Sequence, residues 1–230
     1  MNDLSGWTAR AQPARAPIEG HYVRLEPLDA ARHGDGLYAA SATPNAPDRF
    51  RWLGEAAPQD RQTFQTWLEK AAASADPSHF AVIDKASGKV AGRQAFMRID
   101  TANGVVEIGS ILWNAPVARR PAATEALFLF AHHAFEELGY RRFEWKCNNE
   151  NTPSKRAALR FGFTFEGVFR QHMVVKGLSR DTAWFAMIDK DWPVIRDAFR
   201  IWLQPENFDS DGVQKRRLED IRSGLGGSKE

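Results

Sequence analysis

Val105-Val106-Glu107-Ile108-Gly109-Ser110-Ile111-Leu112-Trp113 runs through Asn114 to Arg120 into Pro121-Ala122-Ala123-Thr124-Glu125-Ala126-Leu127, and the hydrophobic pattern changes on the way. The first part, rich in β-branched and aromatic residues, reads as a strand. After Pro121 the apolar residues recur with a period of about 3.6, placing Leu127, Phe130, Ala131, Ala134 and Leu138 on one face, with Gly139 in the C′ position. Proline at the first helical position loses nothing, because its missing N–H has no partner there. Phe143, Trp145 and Cys147 then alternate with Glu144 and Lys146 as another strand. The whole is a β-α-β crossover.

Outward from that crossover the remaining elements take their places. Residues 1–20, with Pro13 and Pro17, read as an extended N-terminal arm. A first strand covers His21 to Leu28, Asp29 is a helix N-cap, and the helix runs to about Ala42. Thr43 to Pro58 carries three prolines and reads as a loop, and a second helix spans Asp60 to Ala73 with Phe64, Trp67, Leu68 and Ala71 on one face. Three strands follow as a meander: Phe80 to Ile83, Val90 to Ile99 and Val105 to Trp113. Beyond the crossover, Thr152-Pro153 opens a short helix ended by Gly162, Phe163 to Lys176 pairs with Asp181 to Ile188 through Gly177, and Trp192 to Leu203 is a last helix. Residues 205–230 read as a polar C-terminal tail, leaving 21–204 as one domain. The order β-α-α-β-β-β-α-β-α-β-β is that of an α+β, or mixed α/β, fold and not of a doubly wound nucleotide-binding sheet.

Composition narrows the function classes. Among 230 residues, 31 Lys and Arg oppose 29 Asp and Glu, so bulk attraction to nucleic acid or to an anionic membrane is not expected and any anion site must be local. The lone cysteine, Cys147, excludes an internal disulfide and a Cys-based zinc cluster, and its alternation with Phe143 and Trp145 marks a core thiol. His132 and His133 point to different faces of a helix and do not form a metal pair. Asp209 and Asp211 lack the other ligands of a calcium loop and read as a turn. The first residues lack an apolar signal region, and no run of about 18 apolar residues occurs, so a cytoplasmic location is expected.

Chemistry concentrates at two places. At the first, a strand, a turn and a helix N-terminus converge after Trp113, which makes an anion site of free N–H groups and the positive end of the helix dipole. Arg119 and Arg120 add charge there, unless they are ordinary solvated loop residues. At the second, Asn151 and Thr152 precede Ser154 at the start of the next helix; read alone, they are also good capping residues.

Both places resemble the GNAT superfamily of acetyl-coenzyme A-dependent N-acetyltransferases, RimJ/RimL type. Ala118-Arg119-Arg120-Pro121-Ala122-Ala123-Thr124-Glu125-Ala126 is similar to the end of the family's acyl-CoA signature, Gln/Arg-x-x-Gly-x-Gly/Ala with Ala-Thr-Glu-Ala following, but has Ala118 in place of Gln or Arg and Pro121 in place of Gly. Asn151-Thr152-Pro153-Ser154 through Gly162-Phe163, followed by Glu166-Gly167, resembles the family's Asn-x-x-Ser…Gly-Phe block and is the more specific match. The resemblance covers roughly residues 20–192. It implies a central, mostly antiparallel twisted sheet of about seven strands, helices on both faces, and a splay between the fourth and fifth strands.

It further implies acetyl-CoA as co-substrate and an amine as acceptor, with neither nucleic acid, membrane nor metal involved, in a monomer or homodimer. Backbone N–H groups near Ile111, Leu112 and Trp113 would hold the acetyl carbonyl, and Arg119, Arg120, Ala122, Ala123, Thr124, Asn151 and Arg156 would hold the cofactor. Pro121 removes one donor from that set. Ser154 would hydrogen-bond the CoA sulfur, and Glu107 is the acidic candidate for accepting the amine proton, with Glu144 a substitute. The long loop with Arg49, Phe50, Arg51 and Trp52 would shape the acceptor side. The competing expectation is a catalytically silent CoA-binding sensor or scaffold on the same fold.

Overall fold

The computed structural model describes residues 3–114, 117–118 and 120–226. Eight strands form one sheet: β1 (Ile18–Glu19), β2 (Val23–Pro27), β3 (Ser78–Asp84), β4 (Lys89–Asp100), β5 (Val105–Trp113), β6 (Arg142–Asn148), β7 (Thr164–Val175) and β8 (Leu178–Ile188). Their order across the sheet is β1-β2-β3-β4-β5-β6-β8-β7. Every neighbouring pair is antiparallel except β5 and β6, which the crossover makes parallel. The mixed α/β GNAT-like class holds. About seven strands were expected; the eighth is β1, a two-residue strand inside the arm, too short to leave an alternating pattern.

Helices cover both faces. On one side, α1 (Ala30–Ser41) and α3 (Arg61–Ala73) bury Leu37, Phe64, Leu68 and Ala71 against Ala81 and Ile83 of β3. Asp29 and Asp60 cap these helices, accepting the N–H groups of Arg32 at 2.8 Å and Thr63 at 2.7 Å. Between them the expected loop contains a short helix, α2 (Ala46–Phe50), with Pro47 in its first turn. On the other side, α4 (Pro121–His132), α5 (Thr152–Phe161) and α6 (Trp192–Trp202) pack on Phe80, Phe96, Val106, Ile108, Phe143 and Phe185. The central helix does not run α-helical to Leu138: its last turn, His133–Glu137, is π-helical, with Leu138 N–H donating to the His133 carbonyl at 3.0 Å.

The two chain ends pack on this domain. Trp7 Nε1 donates to the Ala102 carbonyl at 2.7 Å, and Arg15 to the carbonyls of Ser74 and Ala72, both at 2.7 Å. The expectation of a polar tail is revised, because Leu218–Gly226 is a helix, α7, whose Leu218 and Ile221 enter the main core. Three residues apart, they share one helix face that a mostly charged segment conceals. The β7–β8 turn has Lys176 and Gly177 at φ +50° and +78°, the pair of positive values that a tight two-residue hairpin turn requires.

Candidate active site

The parallel ladder between β5 and β6 has four rungs and ends at Ile108 opposite Trp145. Both strands continue past it, β5 to Trp113 and β6 to Asn148, so they diverge into a V. A bulge in β5 drives the divergence: Ala95 of β4 faces Gly109 and Arg93 faces Leu112, so β5 carries an extra residue where Ser110 takes φ +51°. A bulge bends its strand and reverses the alternation of its side chains. Accordingly Val106 and Ile108 face the α4 side before it, while Ile111 and Trp113 pack on that side after it. Leu112 turns instead to Ala46 and Phe50 of α2. The β5 edge facing the V, from Gly109 to Trp113, therefore carries backbone groups with no ladder partner.

At the outer end of β5 the chain turns into α4. The N–H groups of Ala118 and Arg120 are already used in that turn, donating to Asn114 and Val117 at 2.7 and 3.0 Å. Pro121 has none to give. Among the described residues of this turn, the donors left to an anion are those of Ala122 and Ala123, in the first turn of α4, where no intrahelical acceptor exists. Arg120 is exposed, and its guanidinium lies beside Gly212 of the C-terminal segment, 3.3 Å from where a Cβ on that glycine would stand. The Thr124 hydroxyl accepts from Arg160 of α5 at 3.2 Å. Burial lowers the pKa of Arg160, with Glu219 opposing. Arg160 is a cation at this end that sequence reasoning passed over, since nothing in its spacing separates it from a surface arginine. Arg119 lies outside the described residues.

At the crotch of the V sits Ser154. Asn151 caps α5, its Oδ1 accepting the Ser154 N–H at 3.2 Å, and Trp145, on the last rung, donates its indole N–H to Ser154 Oγ at 3.0 Å. The Ser154 hydroxyl proton is thereby left to point elsewhere. Neighbouring Cys147 is buried, and burial raises its thiol pKa while the Ser154 hydroxyl opposes the rise. Arg156 is exposed on α5 and makes no ion pair among the described residues.

The sheet face away from α4 carries the charged groups. Glu107 is buried, and its Oε2 meets Arg98 at 2.7 Å and Lys146 at 3.0 Å. Its Oε1 faces Gly109, 3.4 Å from where a Cβ would stand, and a side chain there would also strike Met97. Gly109 thus places no side chain of its own against that oxygen, and Met97 packs beside it. Glu144 is engaged on both sides, by Lys146 at 2.7 Å and Arg142 at 2.6 Å. Lys146 also sits 3.8 Å over the ring of Trp184. None of these partners of Glu107 was singled out in the sequence, where Arg98 and Lys146 look like ordinary strand charges.

Under α2 and α3 lies a second ionic group. Arg93, fully buried on β4, reaches the hydroxyl of Ser110 at the bulge and the carboxylate of Glu55, and stacks 4.3 Å over Trp67. His79 meets the same Ser110 hydroxyl at 3.2 Å. Arg49 donates to Asn114 at 2.7 Å and to the Ala40 carbonyl at 2.6 Å. Arg49 thereby ties α2 both to α1 and to the outer end of β5. Among the described residues no His, Cys, Asp and Glu group is arranged to hold a metal ion, and no helix is long and apolar enough to cross a membrane.

The chain as a whole is similar to known proteins. Residues 23–164 match the family described as Acetyltransferase (GNAT) domain. A crystal structure of a GCN5-related N-acetyltransferase from Brucella melitensis is 62% identical, with a TM-score of 0.94 over 96% of this chain and all of that one. A probable acetyltransferase of the GNAT family from Chromobacterium violaceum is 39% identical, with a TM-score of 0.78 over 84% of this chain and 96% of the other. An uncharacterized N-acetyltransferase, p20, from Bacillus licheniformis is 30% identical over 119 residues, and the match spans 50% of this chain and 64% of that protein. This chain belongs to the GNAT acetyltransferase family.

Proposed function

We propose that the protein transfers the acetyl group of acetyl-CoA to a primary amine by direct attack in the V between β5 and β6. The observation that carries this reading is that the β5–β6 ladder stops at Trp145 and that this residue hands its indole N–H to Ser154. A hydrogen-bonding hydroxyl thus stands where the two strands part. Acetyl-CoA supplies a thioester whose carbonyl carbon the amine attacks. The N–C bond forms, the C–S bond breaks, the amine loses one proton, and the sulfur leaves to become a thiol.

Each need has a group in this chain. Unpaired backbone N–H groups along Ile111 to Trp113 face the developing negative charge on the carbonyl oxygen, and one such donor in a dry cleft stabilises it by roughly 3 kcal/mol. Ser154, already accepting from Trp145, donates its proton toward the departing sulfur. Glu107 takes the amine proton through Oε1, the oxygen that Arg98 and Lys146 leave open. Ala122 and Ala123 N–H groups, with Arg119, Arg120 and Arg160, hold the pyrophosphate end. Asn151 acts indirectly, by fixing the first turn of α5 and hence Ser154. The RimJ/RimL-type motif at Ala123 to Ala126 and the single cysteine support an enzyme of that branch working in a reducing cytoplasm.

The test is Ser154→Ala. Turnover, followed as free thiol released, should fall by roughly 10²-fold, while acetyl-CoA affinity measured by calorimetry stays within about twofold. An unchanged rate removes Ser154 from the mechanism. Cofactor binding with no thiol release from any amine, in the unaltered protein, selects the silent sensor instead.

A further inference from the structure

A cleft of about 1130 Å³ opens between the β7–β8 hairpin, the turn from β6 to α5 and the residues following α2. Its charged lining is Arg51, Arg170, Lys176 and Arg180 against Glu150 and Asp181. The two sets do not neutralise each other, for no ion pair joins them among the described residues. Asp181 accepts the Gln171 N–H at 2.7 Å, and Lys176 donates to the carbonyls of Phe50 at 2.8 Å and Glu55 at 3.2 Å, fastening the segment after α2 to the hairpin tip. Arg51 and Arg170 are exposed.

Arg180 differs from the other three. It is half-buried, and its Nε is enclosed with no acceptor among the described residues. Burial lowers its pKa, and Cys147 and then Glu107 oppose that effect. Four residues along β8, the indole N–H of Trp184 is a second enclosed donor with no acceptor among the described residues. Ala183, Phe185 and Met187 face the α4 side, so by strand alternation Arg180 and Trp184 share the opposite face, where Lys146 and Glu107 also lie. Enclosed donors without partners are costly unless something supplies an acceptor. Here Arg180 lines the cleft, on the sheet face that also carries Glu107, whose charge it feels.

We infer that the acceptor is a small zwitterionic amine, one whose own carboxylate or phosphate is bound by Arg180, and not a polycationic amine. This rests on the acetyl-transfer reading above and narrows it. Four cations against two carboxylates repel a polyamine or an aminoglycoside, whereas an anion beside the amine cancels the repulsion. The same field disfavours the ammonium form of the amine and so favours the neutral nucleophile that attack requires.

The experiment measures thiol release from acetyl-CoA with matched acceptors: L-phenylalanine and L-serine against their amides, and O-phosphoethanolamine against ethanolamine. Spermidine, kanamycin and a C-terminally amidated Ser-Ala-Arg peptide complete the panel. An acceptor bearing a carboxylate or phosphate should exceed its match lacking that anion by roughly 10- to 100-fold in kcat/KM, with the amino acids and the phosphate arm telling carboxylate from phosphate. Arg180→Gln should abolish most of that preference and Arg180→Lys retain part of it, with acetyl-CoA affinity by calorimetry unchanged in both as the check on folding. The inference is overturned if spermidine, kanamycin or the amidated peptide is the best acceptor, or if the preference survives Arg180→Gln; acetyl transfer itself then stands. Acetyl-CoA binding with no amine turned over also overturns it, and no acetyl-CoA binding at all removes both readings.

Discussion

His79 is a buried imidazole whose surroundings hold it neutral. Burial, and then the charge of Arg93, push its pKa down from 6.5 to about 4, with Glu55 opposing. The folded protein therefore keeps the ring neutral between those values while the unfolded chain binds a proton. Stability from this site is complete above about pH 6.5 and is lost as the pH falls toward 4, by roughly 3 kcal/mol across the window. Denaturant titrations between pH 4 and 7 should show that slope, and His79→Gln should flatten it. An equally steep slope in the variant would mean that other groups cause it. Because His79 and Arg93 share the Ser110 hydroxyl, acid should loosen the bulge that splays β5 before it unfolds the sheet.

At the scale of elements, α4 is fastened by the glutamate of its Ala-Thr-Glu-Ala run. Buried Glu125 accepts three backbone N–H groups at the entrance to β2: those of His21 at 2.7 Å, Tyr22 at 2.6 Å and Val23 at 2.8 Å. Glu125→Ala leaves those donors without an acceptor and should cost about 3–5 kcal/mol in chemical denaturation. A loss below about 1 kcal/mol would show that water replaces the carboxylate. The crossover, the two helices before the meander and the meander itself were legible because each rests on local signals: period, the Asp29 cap, Gly177 in its turn. The bulge was not, since Gly109-Ser110-Ile111 resembles any strand interior and only pairing with β4 reveals the extra residue. The partners of Glu107 and Arg93 were hidden for the same reason. They are cross-strand and cross-layer contacts, and sequence spacing carries no information about them.

The whole molecule is larger than the crossover and its sheet, because both ends wrap it. Residues 205–226 place Phe208 edge-on against Trp202 at 5.0 Å, bury Leu218 and Ile221, and bring Arg222 to the Arg160 carbonyl at 2.8 Å. A chain ending at Leu203 should lose roughly 3–6 kcal/mol with the burial of those two aliphatic side chains alone, seen as a melting temperature lower by at least several degrees. An unchanged melting curve would make the segment an appendage. Its contact with Arg160 and its approach to Arg120 join the C-terminal segment to the end of α4 where the pyrophosphate is proposed to lie. That end is also where Pro121 departs from the family's glycine, so cofactor affinity is the quantity on which the account depends. Calorimetric titration of the intact protein with acetyl-CoA tests it directly. One site per chain with a Kd of about 1–100 μM is the predicted result, and no detectable heat at high micromolar cofactor would contradict it.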